Sequence, residues 1–130
     1  MPERTIYPAF RATFSAAIMQ NTAILISNEG LGQADKALRL KLAENFLLTL
    51  VESNTLPQSI LFYGDGVKLC VVGSNCIDAL LLLQEAGVPL ILCRTCLEYY
   101  GLTERVAVGQ IGNMLQITEA MQSASKVIAV

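Results

Sequence analysis

The residues best suited to chemistry are the thiols of Cys93 and Cys96, separated by two residues in the run Val88-Pro-Leu-Ile-Leu-Cys-Arg-Thr-Cys-Leu-Glu-Tyr-Tyr-Gly-Leu102. The run opens as a short apolar segment of buried-strand length and continues as an amphipathic segment with Leu97, Tyr100 and Leu102, which Gly101 is placed to stop. Two thiols at a strand-to-helix junction are expected on the edge of an open α/β sheet, where ligands and chemistry collect. At the start of a helix, unpaired N–H groups, the helix dipole and the Arg94 guanidinium should all favour a thiolate at Cys96, the reactive form of cysteine. Cys96 is therefore the expected nucleophile. Cys93, at the end of a buried strand, is the expected helper that resolves a mixed disulfide or hands on sulfur.

A lone C-x-x-C has competing readings: a redox pair, half of a zinc site, a sulfur-carrying thiol, or two small packing residues. A thioredoxin-type pair normally follows the first strand of its unit, whereas this one follows the third. A zinc site needs Cys70 and Cys76 as its other half, and their spacing is poor for that. Those two are expected to be inert packing. The sequence has no histidine, which excludes Ser-His and Cys-His nucleophile systems and every His-ligated metal site. No cofactor is called for.

The elements that must position the thiols alternate along the chain. Thr22–Ser27 reads as a first strand, closed by the Asn28-Glu29-Gly30-Leu31-Gly32 loop, which matches neither nucleotide phosphate cradle. Ala34–Ser53 is a long helix whose face is expected to carry Leu38, Leu42, Phe46 and Leu50, joined by Ala34, Leu47 and Val51; Asn54-Thr55-Leu56-Pro57 ends it. Gln58–Tyr63 is the second strand, Gly64-Asp65-Gly66 a turn, and Val67–Val71 a short helical or extended piece. Cys76–Ala86 is a helix with Leu80 and Leu83 toward the sheet, followed by the strand that ends in Cys93. Arg105–Val108 is read as a short strand, Gly112-Asn113 as the cap of a helix over Met114–Ala124, and Lys126–Val130 as the last strand. The fold class is α/β: a three-layer α/β/α, flavodoxin-like domain with five parallel strands in the order 2-1-3-4-5, spanning residues 22–130. Residues 1–21, with Phe10, Phe14, Ile18 and Met19 at helical spacing, form an N-terminal arm or short helix.

Composition narrows the class. Of 130 residues, 53% are hydrophobic and 15% charged, yet no apolar stretch approaches the roughly 18 residues of a membrane span. The apolar excess points to a doubly covered sheet and a homo-oligomer. Nine basic against eleven acidic residues, with no basic stripe, argue against nucleic acid and anionic membrane as partners. Four unevenly spaced cysteines and the lack of a leader-like apolar core in the first twenty residues fit free thiols in a reducing cytoplasm.

The segments Leu56–Tyr63, Gly66–Leu69, Cys93–Leu102 and Val108–Met114 together resemble the DsrE/DsrF-like superfamily, in particular the C-terminal domain of YedF-type proteins of sulfur and selenium metabolism. The resemblance spans about Thr22–Val130, and the C-x-T-C-L-x-Y-Y-G-L segment is its most specific part. It implies a flavodoxin-like fold, dimers, trimers or hexamers, and a cysteine that carries persulfide sulfur. YedF-type relatives join this domain to a TusA-like carrier; none precedes Thr22 here, so a separate TusA-like sulfur carrier is the expected partner. Arg94 stands where the family commonly has glycine, Gly64-Asp65-Gly66 replaces its usual Asn-bearing loop, and Leu115 stands where it has tyrosine. Around Cys96 and Cys93 the candidate pocket residues are Arg94, Thr95, Asp65, Asn28, Tyr99 and Asn113, although Asn113 is also a natural helix cap. The leading expectation is a sulfur or selenium relay. The alternative is an oligomeric module binding a small ligand or protein, with structural thiols, and a zinc protein comes third.

Overall fold

The computed structural model describes residues 21–53 and 55–130. The reading of residues 1–20 as an arm, and Asn54 within the expected helix stop, lie outside the described residues. Five strands, β1 (Thr22–Ile26), β2 (Ser59–Phe62), β3 (Leu90–Cys93), β4 (Gln110–Gly112) and β5 (Lys126–Ala129), form one sheet. Between them run α1 (Lys36–Glu52), α2 (Ile77–Glu85), α3 (Arg94–Tyr100) and α4 (Met114–Ser123), with 3-10 segments at Gly64–Cys70 and Thr103–Arg105.

All strand pairs are parallel, and their order is β4-β3-β2-β1-β5. The α/β class and the five parallel strands expected from sequence are present. The expected order 2-1-3-4-5 is not: each of the first three connections moves one strand over in the same direction, and only the last crosses the whole sheet. Alternation of strands and helices fixes that connections are crossovers but not which way each one steps, because every right-handed choice buries similar apolar strands. The handedness rule places α1 and α2 on one face and the return through α4 on the other. The order matters for the site, because β2 and not β1 lies beside β3.

The strands form where apolar, β-branched residues cluster. β2 and β3 are buried along their whole length, as central parallel strands covered on both faces require. Registers such as Leu61 with Ile91 and Ile26 with Phe62 stack their side chains into one core with Leu47, Leu80, Leu83 and Leu97. Each such side chain contributes about 1.5–3 kcal/mol of burial. The Arg105–Val108 strand expected from sequence is instead a 3-10 turn and a single antiparallel bridge of Val106 to Val71, and β4 begins at Gln110.

α1 starts at Asp35, whose carboxylate accepts the Leu38 N–H at 3.0 Å. It buries Ala43, Leu47 and Val51, while Leu38 and Leu42 are exposed. The expected stripe fails for a geometric reason: each four-residue step turns about 40° further around the helix, so a run of such steps leaves the face it started on. Leu80 and Leu83 of α2 face the core as expected.

Candidate functional site

Parallel strands end on a common edge, so the segments that follow β2, β3 and β4 emerge side by side there. Cys93 is the last residue of β3 and the N-cap of α3, and it is 2% exposed. Cys96 lies in the first turn of α3 and is half-buried. Gly101, at φ 68°, closes α3 in the left-handed conformation, with the Leu102 N–H on the Leu97 carbonyl at 2.8 Å.

From β2 comes the Gly64-Asp65-Gly66 loop, and the sequence folds it tightly against β1. The Tyr63 N–H donates to the Ile26 carbonyl at 3.2 Å. A Cβ on Gly66 would stand 2.1 Å from that same carbonyl oxygen, so only glycine fits. Gly64 has φ +57° and points its N–H at Cys96 Sγ, 3.0 Å away. Beside it, Oδ1 of Asp65 accepts the Tyr100 hydroxyl and lies 3.2 Å from Lys68 Nζ. Lys68 Nζ also sits 4.2 Å from the centroid of the Tyr100 ring.

The electrostatics of Cys96 differ from the sequence expectation. Burial raises its pKa first, the neighbouring Cys93 thiol raises it further, the Gly64 N–H lowers it, and the Asp65 charge raises it again. The net direction is upward, not toward neutrality. Arg94 is exposed and takes part in no salt bridge among the described residues, and a helix of two turns has a weak dipole to offer. Tyr100 and Lys68 hold the Asp65 carboxyl below its ordinary value, and Asp65 in turn raises the Tyr100 phenol. A shallow groove of about 450 Å³ adjoins this cluster, lined by Glu29, Lys68, Val71, Ser74, Tyr100 and Leu102 among others.

The structure brings Cys93, Cys96 and Asp65 together. Arg94 and Thr95 share the first turn of α3 with Cys96 and are exposed. Asn28 follows β1, one strand beyond β2, and its side chain is engaged in its own loop with the Gly32 carbonyl and the Glu29 N–H. Asn113 caps α4, its side chain accepting the Gln116 N–H while Gln116 accepts the Asn113 N–H. Tyr99 is 83% exposed and contacts Tyr100 edge-on. Neither tyrosine packs in the core. Tyr100 and Lys68 are the cluster members absent from the sequence-derived set. Tyr100 lies four residues after Cys96, on the same helix face, and Lys68 three after Asp65; both spacings were in the sequence.

Cys70 and Cys76 are fully buried, as expected of packing thiols; burial pushes Cys70 well up and Cys76 to about 11. Among the described residues, no group of three or more His, Cys, Asp or Glu side chains gathers in a way that could hold a metal ion. No helix among them is long and apolar enough to cross a membrane.

Comparison with known proteins finds a match to the DsrE/DsrF-like family model over residues 20–130. Among solved structures, the ychN protein of E. coli superposes with a TM-score of 0.62 at 23% identity, over 86% of this chain and 100% of that one. A conserved protein of unknown function from Bacteroides thetaiotaomicron gives 0.58 at 15% identity, over 85% and 95% of the two chains. One from Methanobacterium thermoautotrophicum gives 0.56 at 16%, over 84% and 97%. At these identities the likeness is one of fold. No curated protein sequence matches.

Proposed function

We propose that this chain, which belongs to the DsrE/DsrF-like family, accepts and passes on sulfur through the thiol of Cys96. The observation that carries the reading is a half-buried thiol at the C-terminal sheet edge with a backbone N–H directed at its sulfur 3.0 Å away. That donor favours negative charge on Sγ, both in the attacking thiolate and in the thiolate released when sulfur leaves.

In the loading step, Cys96 loses its proton to solvent, and its thiolate attacks the terminal sulfur of a donor persulfide, R–S–SH. The new bond is Cys96 Sγ–S, the donor S–S bond breaks, and the electron pair leaves on R–S⁻. In delivery, an acceptor thiolate attacks the terminal sulfur of Cys96–S–SH and Cys96 departs as thiolate. Neither step changes the total oxidation state of the sulfur atoms, so neither requires a redox partner. Cys93, the neighbouring thiol that acts on Cys96, is the group able to release unreacted sulfur as hydrosulfide by forming a Cys93–Cys96 disulfide. Selenium follows the same steps.

In this reading the acceptor is a protein, such as a separate TusA-like carrier, or a small molecule. Met114 and Leu115, 51% and 62% exposed at the start of α4, offer apolar surface at the same edge. Exposed Leu38, Leu42 and Leu81 on α1 and α2 support a homo-oligomer, and free thiols suit a reducing cytoplasm.

The raised pKa of Cys96 favours a second reading, an oligomeric binding module whose thiols are structural. Peptide mass mapping after incubation with glutathione persulfide separates the two. A reducible gain of sulfur on the Cys96 peptide, lost in Cys96→Ser, supports the relay. No gain under conditions that load an established carrier leaves the binding module.

A further inference from the structure

Three side chains next to Cys96 are tied to one another in a closed circuit. The Tyr100 hydroxyl donates to Asp65 Oδ1, Lys68 Nζ is 3.2 Å from the same oxygen, and Lys68 stands 4.2 Å from the centre of the Tyr100 ring. The circuit joins two elements. Tyr100 belongs to α3, one turn after Cys96, whereas Asp65 and Lys68 belong to the 3-10 segment whose first residue is Gly64.

Gly64 has no side chain by which its neighbours could hold it, yet its N–H must be aimed at a sulfur atom on another element. On its N-terminal side the loop is pinned by the Tyr63 N–H on the Ile26 carbonyl. On its C-terminal side the only side-chain ties from Asp65 run to Tyr100 and Lys68 among the described residues. Tyr100 carries the grip to the very helix that bears Cys96.

We propose that Tyr100, Asp65 and Lys68 form a clasp that positions the Gly64 N–H on the Cys96 sulfur and fixes a carboxylate beside it. All three are positioning residues, and their role rests on the reading of Cys96 as the reactive thiol. The clasp controls two opposed influences. The aimed N–H favours the thiolate, while the neighbouring carboxylate disfavours it and stays ionised because the phenol and the ammonium stabilise its charge. The titratable groups facing Cys96 are Cys93 from β3, Asp65 from the 3-10 segment and Tyr100 from its own helix. The other charges on the elements packed here are Arg94 and Glu98 on α3, Lys68, Glu104 and Arg105 on the second 3-10 turn, Asp78 and Glu85 on α2, and Arg39 on α1, whose charge reaches Asp65.

The two influences can be separated by substitution. Asp65→Asn keeps an oxygen to accept the Tyr100 hydroxyl but removes the charge. Tyr100→Phe keeps the charge but removes the grip. The readout is the rate of Cys96 alkylation by iodoacetamide against pH, followed on the Cys96 peptide by mass, which does not depend on any sulfur donor. Near neutral pH, Asp65→Asn should react about two- to threefold faster than wild type, and Tyr100→Phe slower by a similar factor. Profiles that coincide with wild type, or that shift in the same direction in both variants, overturn the clasp. Shifts of opposite sign in a protein that takes up no persulfide sulfur would sink the relay and leave the clasp standing.

Discussion

The backbone N–H of Gly64 and the sulfur of Cys96, 32 residues apart in sequence, meet at 3.0 Å. The meeting is a product of strand order. β2 and β3 are adjacent and parallel, so the residue two after Phe62 and the residue three after Cys93 leave the sheet side by side. An N–H on sulfur opposes the effects of burial, of the Cys93 thiol and of Asp65, which together win and raise the thiol pKa.

The pH dependence follows with a definite sign. The thiolate is the nucleophile, and a raised pKa keeps most of Cys96 protonated at neutrality. The rate of persulfide loading or alkylation at Cys96 should therefore climb about tenfold per pH unit from neutrality into the alkaline range. Stopped-flow or mass-resolved rates across that range check it, and a plateau already reached below pH 7 would contradict the balance of charges described.

Gly66→Ala tests how the loop is held. The added methyl group would stand 2.1 Å from the Ile26 carbonyl oxygen, a backbone atom that cannot swing aside. The variant should lose about 2 kcal/mol or more of stability in urea unfolding, and its Cys96 reactivity should change as Gly64 is displaced. A wild-type midpoint would mean that the loop lies elsewhere in solution.

Asn113→Ala separates capping from ligand binding. Both halves of the capping box with Gln116 are in place, so the expected loss is about 1 kcal/mol from α4. Loading of Cys96 should be unaffected, because the Asn113 side chain is already committed to the Gln116 N–H. A loading defect without a stability change would return Asn113 to the pocket.

Much of the fold is legible because its period is strong: the apolar β-branched runs give the strands, and the long helices lie within a few residues of their expected ends. What escaped is long-range. No local feature says that β1 steps to β2 and β2 to β3 in one direction, so sequence alone places Asn28 as near to Cys96 as Asp65. Val106 and Val108 look like a strand but serve as a bridge and a core contact, since β4 takes the glycine-flanked Gln110–Gly112 instead. At the site, Cys93, Cys96 and Asp65 stand out by type and spacing. Lys68 and Tyr100 do not, because a lysine and a tyrosine on a surface become informative only once a carboxylate is known to lie between them.

Cys93 gives the sharpest separation of structure from chemistry. It is the N-cap of α3, its side chain caps nothing, and it is almost fully buried. A serine there loses some apolar burial, but its hydroxyl oxygen can accept an N–H from the first turn, the interaction that makes serine a favoured cap. The two effects are of similar size, so Cys93→Ser should stay within about 1 kcal/mol of wild type in denaturant unfolding. Loading of Cys96 should persist in this variant, since the attacking thiol is intact. Release of stranded sulfur as hydrosulfide should fall, because no second thiol remains beside Cys96 to form the disulfide. If Cys93→Ser releases hydrosulfide at the wild-type rate, the buried thiol has no part in the chemistry and serves only to fill the end of β3.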